Sequence, residues 1–257
     1  MEIIGGKYVR KTDFHNSSYF KKINNHIDAC LLLIERLIKL NKDSLKIVAE
    51  TLKVPDYIID FRIEQFRYYH EALAGIYYGC YSLKNVYETS TIMNFKGIDT
   101  TIGIALITQE RYISFMGIVN MSSIFEFTRN NYEKNIKGKP YYEKMKGKYR
   151  GLGESQELLN NFRNTIHSNG IWEREKPLTY SIRAGRIEIK NGEVIVYDYW
   201  KLYRIVKDCI ELSKLMALDN KANLIRDTRL SQGKEKIVVF DGGEELRKFF
   251  ENYKAPE

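Results

Sequence analysis

Arg163 and His167 stand four positions apart in a segment that reads as the end of a helix, which places their Cβ atoms roughly 5–6 Å apart on one face. A guanidinium beside an imidazole is suited to phosphate chemistry. Arginine presents a planar fork that matches phosphate oxygens, and histidine exchanges protons near neutral pH. Cleaving RNA without a metal needs a base to remove the 2′-hydroxyl proton and a cation to stabilise charge building on the phosphate. Two influences oppose each other at His167: a helix C-terminus favours the imidazolium, and the Arg163 charge disfavours it. Cationic residues in a last helical turn before Asn169-Gly170 also have a plainer account, which is ordinary capping.

A second constellation lies just upstream. Lys134, Lys137, Lys139, Lys144, Lys146, Lys148 and Arg150 share one stretch with Tyr141, Tyr142 and Tyr149, and Glu143 is the acid among them. Cations that hold phosphates beside aromatics that stack on bases are what single-stranded RNA binding requires. The stretch reads as a basic loop leading into the motif helix, and a merely solvated loop explains it equally well. Gly151-Leu152-Gly153 could admit a phosphate to backbone amides at the start of that helix, although a plain turn is the simpler account.

Other polar series point to structure. Asp56, Asp60 and Glu64 recur at four-residue spacing, and with Arg62 and Arg67 nearby they read as a solvated, ion-paired face and not as a metal site. His15, His26 and His70 have no ligand spacing, and His70 flanks an apolar seam where packing or pairing is expected. Cys30, Cys80 and Cys209 are odd in number and far apart, which suggests neither a disulfide framework nor a cysteine zinc site. A reducing cytoplasm is the expected compartment, and no metal or cofactor is implied.

An Arg-Asn pair shortly before a His at the end of a bundle helix resembles the signature of the HEPN superfamily (higher eukaryotes and prokaryotes nucleotide-binding). The resemblance extends over about residues 56–218 and rests on helix order and this motif. It implies a homodimer in which two motifs face one cleft, and a metal-independent endoribonuclease leaving 2′,3′-cyclic phosphate ends. Carried over, Arg163 would bind and stabilise phosphate, Asn164 would position it, and His167 would be the base. The interval from Arg to His is shorter here than is usual in the superfamily. Relatives that lack the nuclease act as RNA or nucleotide binders, or as interaction modules in toxin–antitoxin and antiphage systems. An antitoxin or nucleotidyltransferase is the partner such systems imply. Gly242-Gly243-Glu244-Glu245-Leu246 resembles the signature loop of diguanylate cyclases, but sits too near the end of the sequence for that loop's mid-domain place.

The elements that must position these residues are mostly helices. With 257 residues and 44% apolar content the chain can bury a substantial core, and its formal charge of +8 favours an anionic partner. Its longest apolar runs are too short to span a bilayer, and no signal peptide is read at its start. Helices are expected over residues 18–40 and 43–52. A long one follows from Pro55-Asp56, with Phe66, Tyr69, Leu73, Ile76, Cys80, Leu83 and Tyr87 along its seam. After a connection at 88–101, another runs over 108–134 with Tyr112, Phe115, Val119 and Phe127 on its stripe. Further helices are expected at 154–168 and from Asp198 to about 218. Residues 187–190 and 193–196 alternate around Asn191-Gly192, the pair suited to a type I′ turn, and predict a β-hairpin. The expected fold is mainly α: an HEPN-like bundle at 56–218 with a hairpin insertion within 178–197. Residues 1–55 form a helical segment packing on it, and 219–257 form a small tail with a strand at 237–240 and a helix from 244.

Overall fold

The computed structural model describes residues 2–4, 7–9, 17–54, 60–92, 99–136, 140–166, 171–172, 177–183, 185–192, 199–219 and 225. The fold is mainly helical. A short antiparallel ribbon, β1 (Glu2–Ile4) and β2 (Lys7–Val9), precedes α1 (Ser17–Leu52), α2 (Phe61–Ile92) and α3 (Asp99–Asn135). The short α4 (Tyr141–Lys148) leads into α5 (Arg150–Ile166), then β3 (Leu178–Ile182), β4 (Gly185–Ile189) and α6 (Tyr199–Asp219). In sequence-neighbour and ring order α1, α2, α3, α5 and α6 each pack on the next, and α6 returns to α1, so five helices close around one core. Paired residues run in opposite directions along successive helices. Asn41 meets Phe66 and Asp28 meets Lys84 across α1 and α2, while Gln65 meets Tyr132 and Tyr69 meets Thr128 across α2 and α3.

The helix expected in two pieces at 18–40 and 43–52 is one. No Gly or Pro interrupts it, and Asn41, which with Lys42 and Asp43 suggested a break, is buried and donates from Nδ2 to the Phe66 carbonyl at 2.7 Å. Ile27, Cys30, Leu31, Ile34, Leu37, Ser44 and Val48 continue its buried stripe. The predicted seam of α2 is present: Phe66, Tyr69, Leu73, Cys80 and Leu83 are buried and Ile76 half-buried. Tyr87 lies outside the described side chains.

The expected stripe of α3 lies at the edge of its inward face: Phe115 and Val119 are half-buried, and Phe127 packs edge-on against Phe61. Tyr112 is 63% exposed, whereas Ile118, Met121, Phe125 and Tyr132 are buried. The buried face also carries Gly117, Ser122, Thr128 and Asn131, small or polar residues that apolar periodicity does not register. Thr128 and Asn131 satisfy themselves by donating to carbonyls one turn back, at 2.8 and 3.0 Å. Gly117 sets the helix spacing, since a Cβ there would lie 2.9 Å from Ile76 Cδ1 on α2.

A hairpin falls within the expected span, built from β3 and β4, while the expected strand at 193–196 lies outside the described residues. Ile187 and Ile189 are in β4 as read, yet the partner strand is β3 upstream, with Leu178 opposite Ile189 and Tyr180 opposite Ile187. Tyr180, Ile182 and Ile189 bury on the core beside Trp172, which gives this pairing its apolar face. Gly185, at φ +128°, supplies the turn's unusual backbone. Asn191-Gly192 does form a turn, and the Gly192 amide donates to the Trp172 carbonyl at 2.7 Å. Residues 193–198, the expected C-terminal strand and helix, and Gly242-Gly243 lie outside the described residues.

Two polar knots hold the core. Tyr69 joins three helices, its hydroxyl lying 3.1 Å from Thr128 Oγ1 on α3 and 2.6 Å from Ser213 Oγ on α6. Burial pushes its phenol well above the ordinary value, so it remains a neutral hydrogen-bonding group. At the start of α2, Asp60 and Arg62 form an ion pair with both side chains almost wholly buried, at 0% and 3% exposure. Of the acidic series expected on a solvated, ion-paired face, Glu64 pairs with the exposed Arg67 and Asp56 lies outside the described residues, whereas the burial of Asp60 and Arg62 is a correction with a local cause. Asp60 caps α2, accepting from the Arg62 amide at 2.9 Å, which turns its carboxylate inward and brings the guanidinium with it.

Candidate nucleic-acid interface

On α5, Leu158, Leu159, Phe162 and Thr165 face the core, leaving Arg163 and Asn164 outward near the helix end. Asn164 is exposed, and the Arg163 side chain retains 27% exposure. Arg163 is paired across the helices: Nη1 lies 2.6 Å from Glu126 Oε2 on α3, and Nη2 donates to Asn164 Oδ1 at 3.4 Å. His167, and Ser168 to Gly170 after it, lie outside the described residues. The structure therefore brings two of the three motif residues together and adds an acid that sequence spacing did not disclose. Half-exposed pairs of this kind contribute about 0.2–1 kcal/mol, so a phosphate can compete with Glu126 for the guanidinium.

The basic stretch is not a loop but largely the helix α4, and its aromatics face inward. Tyr141 and Tyr142 are buried with Met145, one helical face docked on a cluster that includes Tyr132, Leu212 and Met216. Tyr141 stacks on Tyr132 at 5.5 Å between ring centres and donates its hydroxyl to the Met216 carbonyl at 2.9 Å. Burial raises the phenols of both Tyr141 and Tyr142. Tyr149 is half-buried against the same cluster. These rings anchor the helix; Tyr141 and Tyr142 offer no open face for a base.

The cations remain outside. Lys134, Lys144, Lys148 and Arg150 are exposed, with Lys148 3.1 Å from Asp219 and Arg150 2.7 Å from Glu154. Lys146 pairs with Glu157, and Lys137 and Lys139 lie outside the described residues. The N-terminal end of α4, a place suited to an anion, is already filled by Glu133, whose carboxylate accepts from the Tyr141 and Tyr142 amides at 3.0 and 2.7 Å.

Gly151-Leu152-Gly153 belongs to the first turn of α5. The amides of Leu152 and Gly153 donate to the Tyr149 carbonyl, which occupies the groups a phosphate would need. Gly153 instead admits α4, since a Cβ there would lie 3.2 Å from Lys146 Cα.

Sequence reasoning also missed a cluster joining α5, α6 and the hairpin turn. Ser155 Oγ donates to Asp208 Oδ2 at 2.8 Å, and Arg183 lies 3.7 Å from Asp208 Oδ1 while pairing with Glu211. Burial raises the Asp208 pKa, against the bond from Ser155 and the charge of Arg183. A carboxyl whose folded pKa exceeds its unfolded one costs stability once ionised. Its contribution is most favourable below the unfolded pKa and is lost as pH rises through the folded pKa. Asp208→Asn, which keeps an acceptor for Ser155, is expected to flatten that portion of stability against pH. Urea titrations over acidic to neutral pH check this, and parallel curves for variant and wild type would contradict it.

Among the described residues no three His, Cys, Asp or Glu side chains gather as metal ligands, and no described helix is long and apolar enough to cross a membrane. Cys30, Cys80 and Cys209 are buried, and His70 is half-buried on α2. Comparison with protein-family models, curated proteins and solved structures found no match to this chain.

Proposed function

We propose that this protein is an HEPN-like RNA-binding protein that cleaves single-stranded RNA without a metal, as a homodimer, at Arg163, Asn164 and His167. The observation that carries the reading is the placement of Arg163 and Asn164 together on the outward side of a bundle helix, at the end where His167 follows in sequence. Arg163 would neutralise the scissile phosphate, Asn164 would orient it, and His167 would remove the 2′-hydroxyl proton. Lys134, Lys144, Lys148 and Arg150, on α3, α4 and the start of α5 at the far end of that helix from Arg163, would hold the RNA backbone away from the scissile bond.

Incubating the purified protein with single-stranded RNA in EDTA tests the proposal. Fragments with 2′,3′-cyclic phosphate ends are expected from the wild type and not from His167→Ala. Intact RNA in both samples removes the enzymatic claim.

A second reading is a non-catalytic binding or interaction module of a toxin–antitoxin or antiphage pair. Two observations favour it: Glu126 already holds Arg163, and Tyr141 and Tyr142 are committed to the core. Under this reading charge reversal at Lys144 and Lys148 abolishes partner binding while His167→Ala is silent.

A further inference from the structure

The ring of five helices does not fill its centre. A pocket of about 70 Å³, partly open to the surface beside Leu33, Ser114 and Tyr203, lies among them, with Leu37, Leu73, Ile118, Met121, Leu159 and Val206 contributing one or more walls from each helix. Its surface is almost entirely carbon. Water that enters such a pocket finds few polar partners and is easily displaced by an apolar guest; an apolar cavity of roughly 150 Å³ holds benzene. The glycine in the lining does not account for the space, because Gly117 is pressed against Ile76 and its missing Cβ is spent on helix approach.

We propose that this cavity is a binding site for a compact, neutral, hydrocarbon-like molecule smaller than benzene. The site is independent of the RNA reading. Entry of such a guest adds dispersion contacts to Leu, Ile, Met and Val side chains, displaces water that the carbon walls hold weakly, and desolvates almost no polar group. A charged or strongly hydrated molecule would lose its hydrogen bonds there without replacement. The lining of long, unbranched Met121 beside branched Ile118 and Val206 also allows modest adjustment to guest shape.

Xenon is the probe, read by methyl NMR of the full chain under increasing gas pressure. Saturable shifts are expected at Ile118, Met121, Leu159 and Val206, with methyls outside the cavity unmoved. Val206→Phe, which extends into the void, is expected to abolish them. Should that variant fail to fold, Ser114→Leu fills the cavity from a half-buried position on α3 and is expected to do the same. Ethylene glycol, a polar molecule of comparable bulk, is expected to shift none of these methyls. Shifts that never saturate, that persist undiminished in a folded filled variant, or that ethylene glycol reproduces overturn the proposal.

Discussion

Asp60→Ala is expected to lose about 3–5 kcal/mol of folding stability, a large part of the 5–15 kcal/mol typical of a domain. The reason lies in what the substitution leaves behind. Arg62, at 3% exposure, would lose from its buried surroundings the carboxylate that now accepts from its backbone amide and its guanidinium. Helix α2 would also lose its cap. Urea unfolding of the two proteins measures the difference. Replacing both residues together, as Asp60→Ala with Arg62→Met, is expected to recover much of the loss because no buried charge is then stranded. A cost below about 1 kcal/mol for the single substitution would mean that the pair is solvated, as exposed pairs are.

Arg163→Ala and Glu126→Gln are expected to act in opposite directions. If Arg163 stabilises charge on the scissile phosphate, its removal lowers cleavage by about 10²–10³-fold, the usual cost of deleting one donor aimed at developing charge. Glu126→Gln releases the guanidinium from its 2.6 Å partner. Since such pairs contribute up to about 1 kcal/mol, RNA affinity should rise by at most about fivefold. Filter binding at fixed salt reads the second effect, and single-turnover cleavage reads the first. Weaker binding in Glu126→Gln would show that the acid orients Arg163 for RNA and does not compete for it.

The helical fold was legible because its signals are local and repeated. The α2 seam recurs every three or four residues, and Phe66, Tyr69, Leu73, Cys80 and Leu83 are buried as that spacing requires. The inward face of α3 was read only at its edge, because half of it is Gly117, Ser122, Thr128 and Asn131, whose burial depends on close approach and on back-bonding that no hydropathy pattern carries. The pairing of β4 with β3 was likewise missed, since Asn191-Gly192 is the stronger turn signal and the turn between these two strands is marked by a lone Gly185. At the candidate site, Arg163 and Asn164 were visible as a motif, but Glu126 and Glu133 were not. Each reaches its target across a tertiary contact, Glu126 from 37 residues away. The tyrosines of α4 illustrate the same limit: composition gives a basic aromatic stretch, and only packing decides which side the rings take.

That division of labour in α4 separates what natural variation can explore from what it cannot. Lys144 and Lys148 can be exchanged, reversed or lost with little effect on the bundle, so any contact made through them is free to change. Tyr141, Tyr142 and Met145 have no such freedom, because they seat the helix itself. A chain could thus change what it grips within a few substitutions while keeping the same grip point.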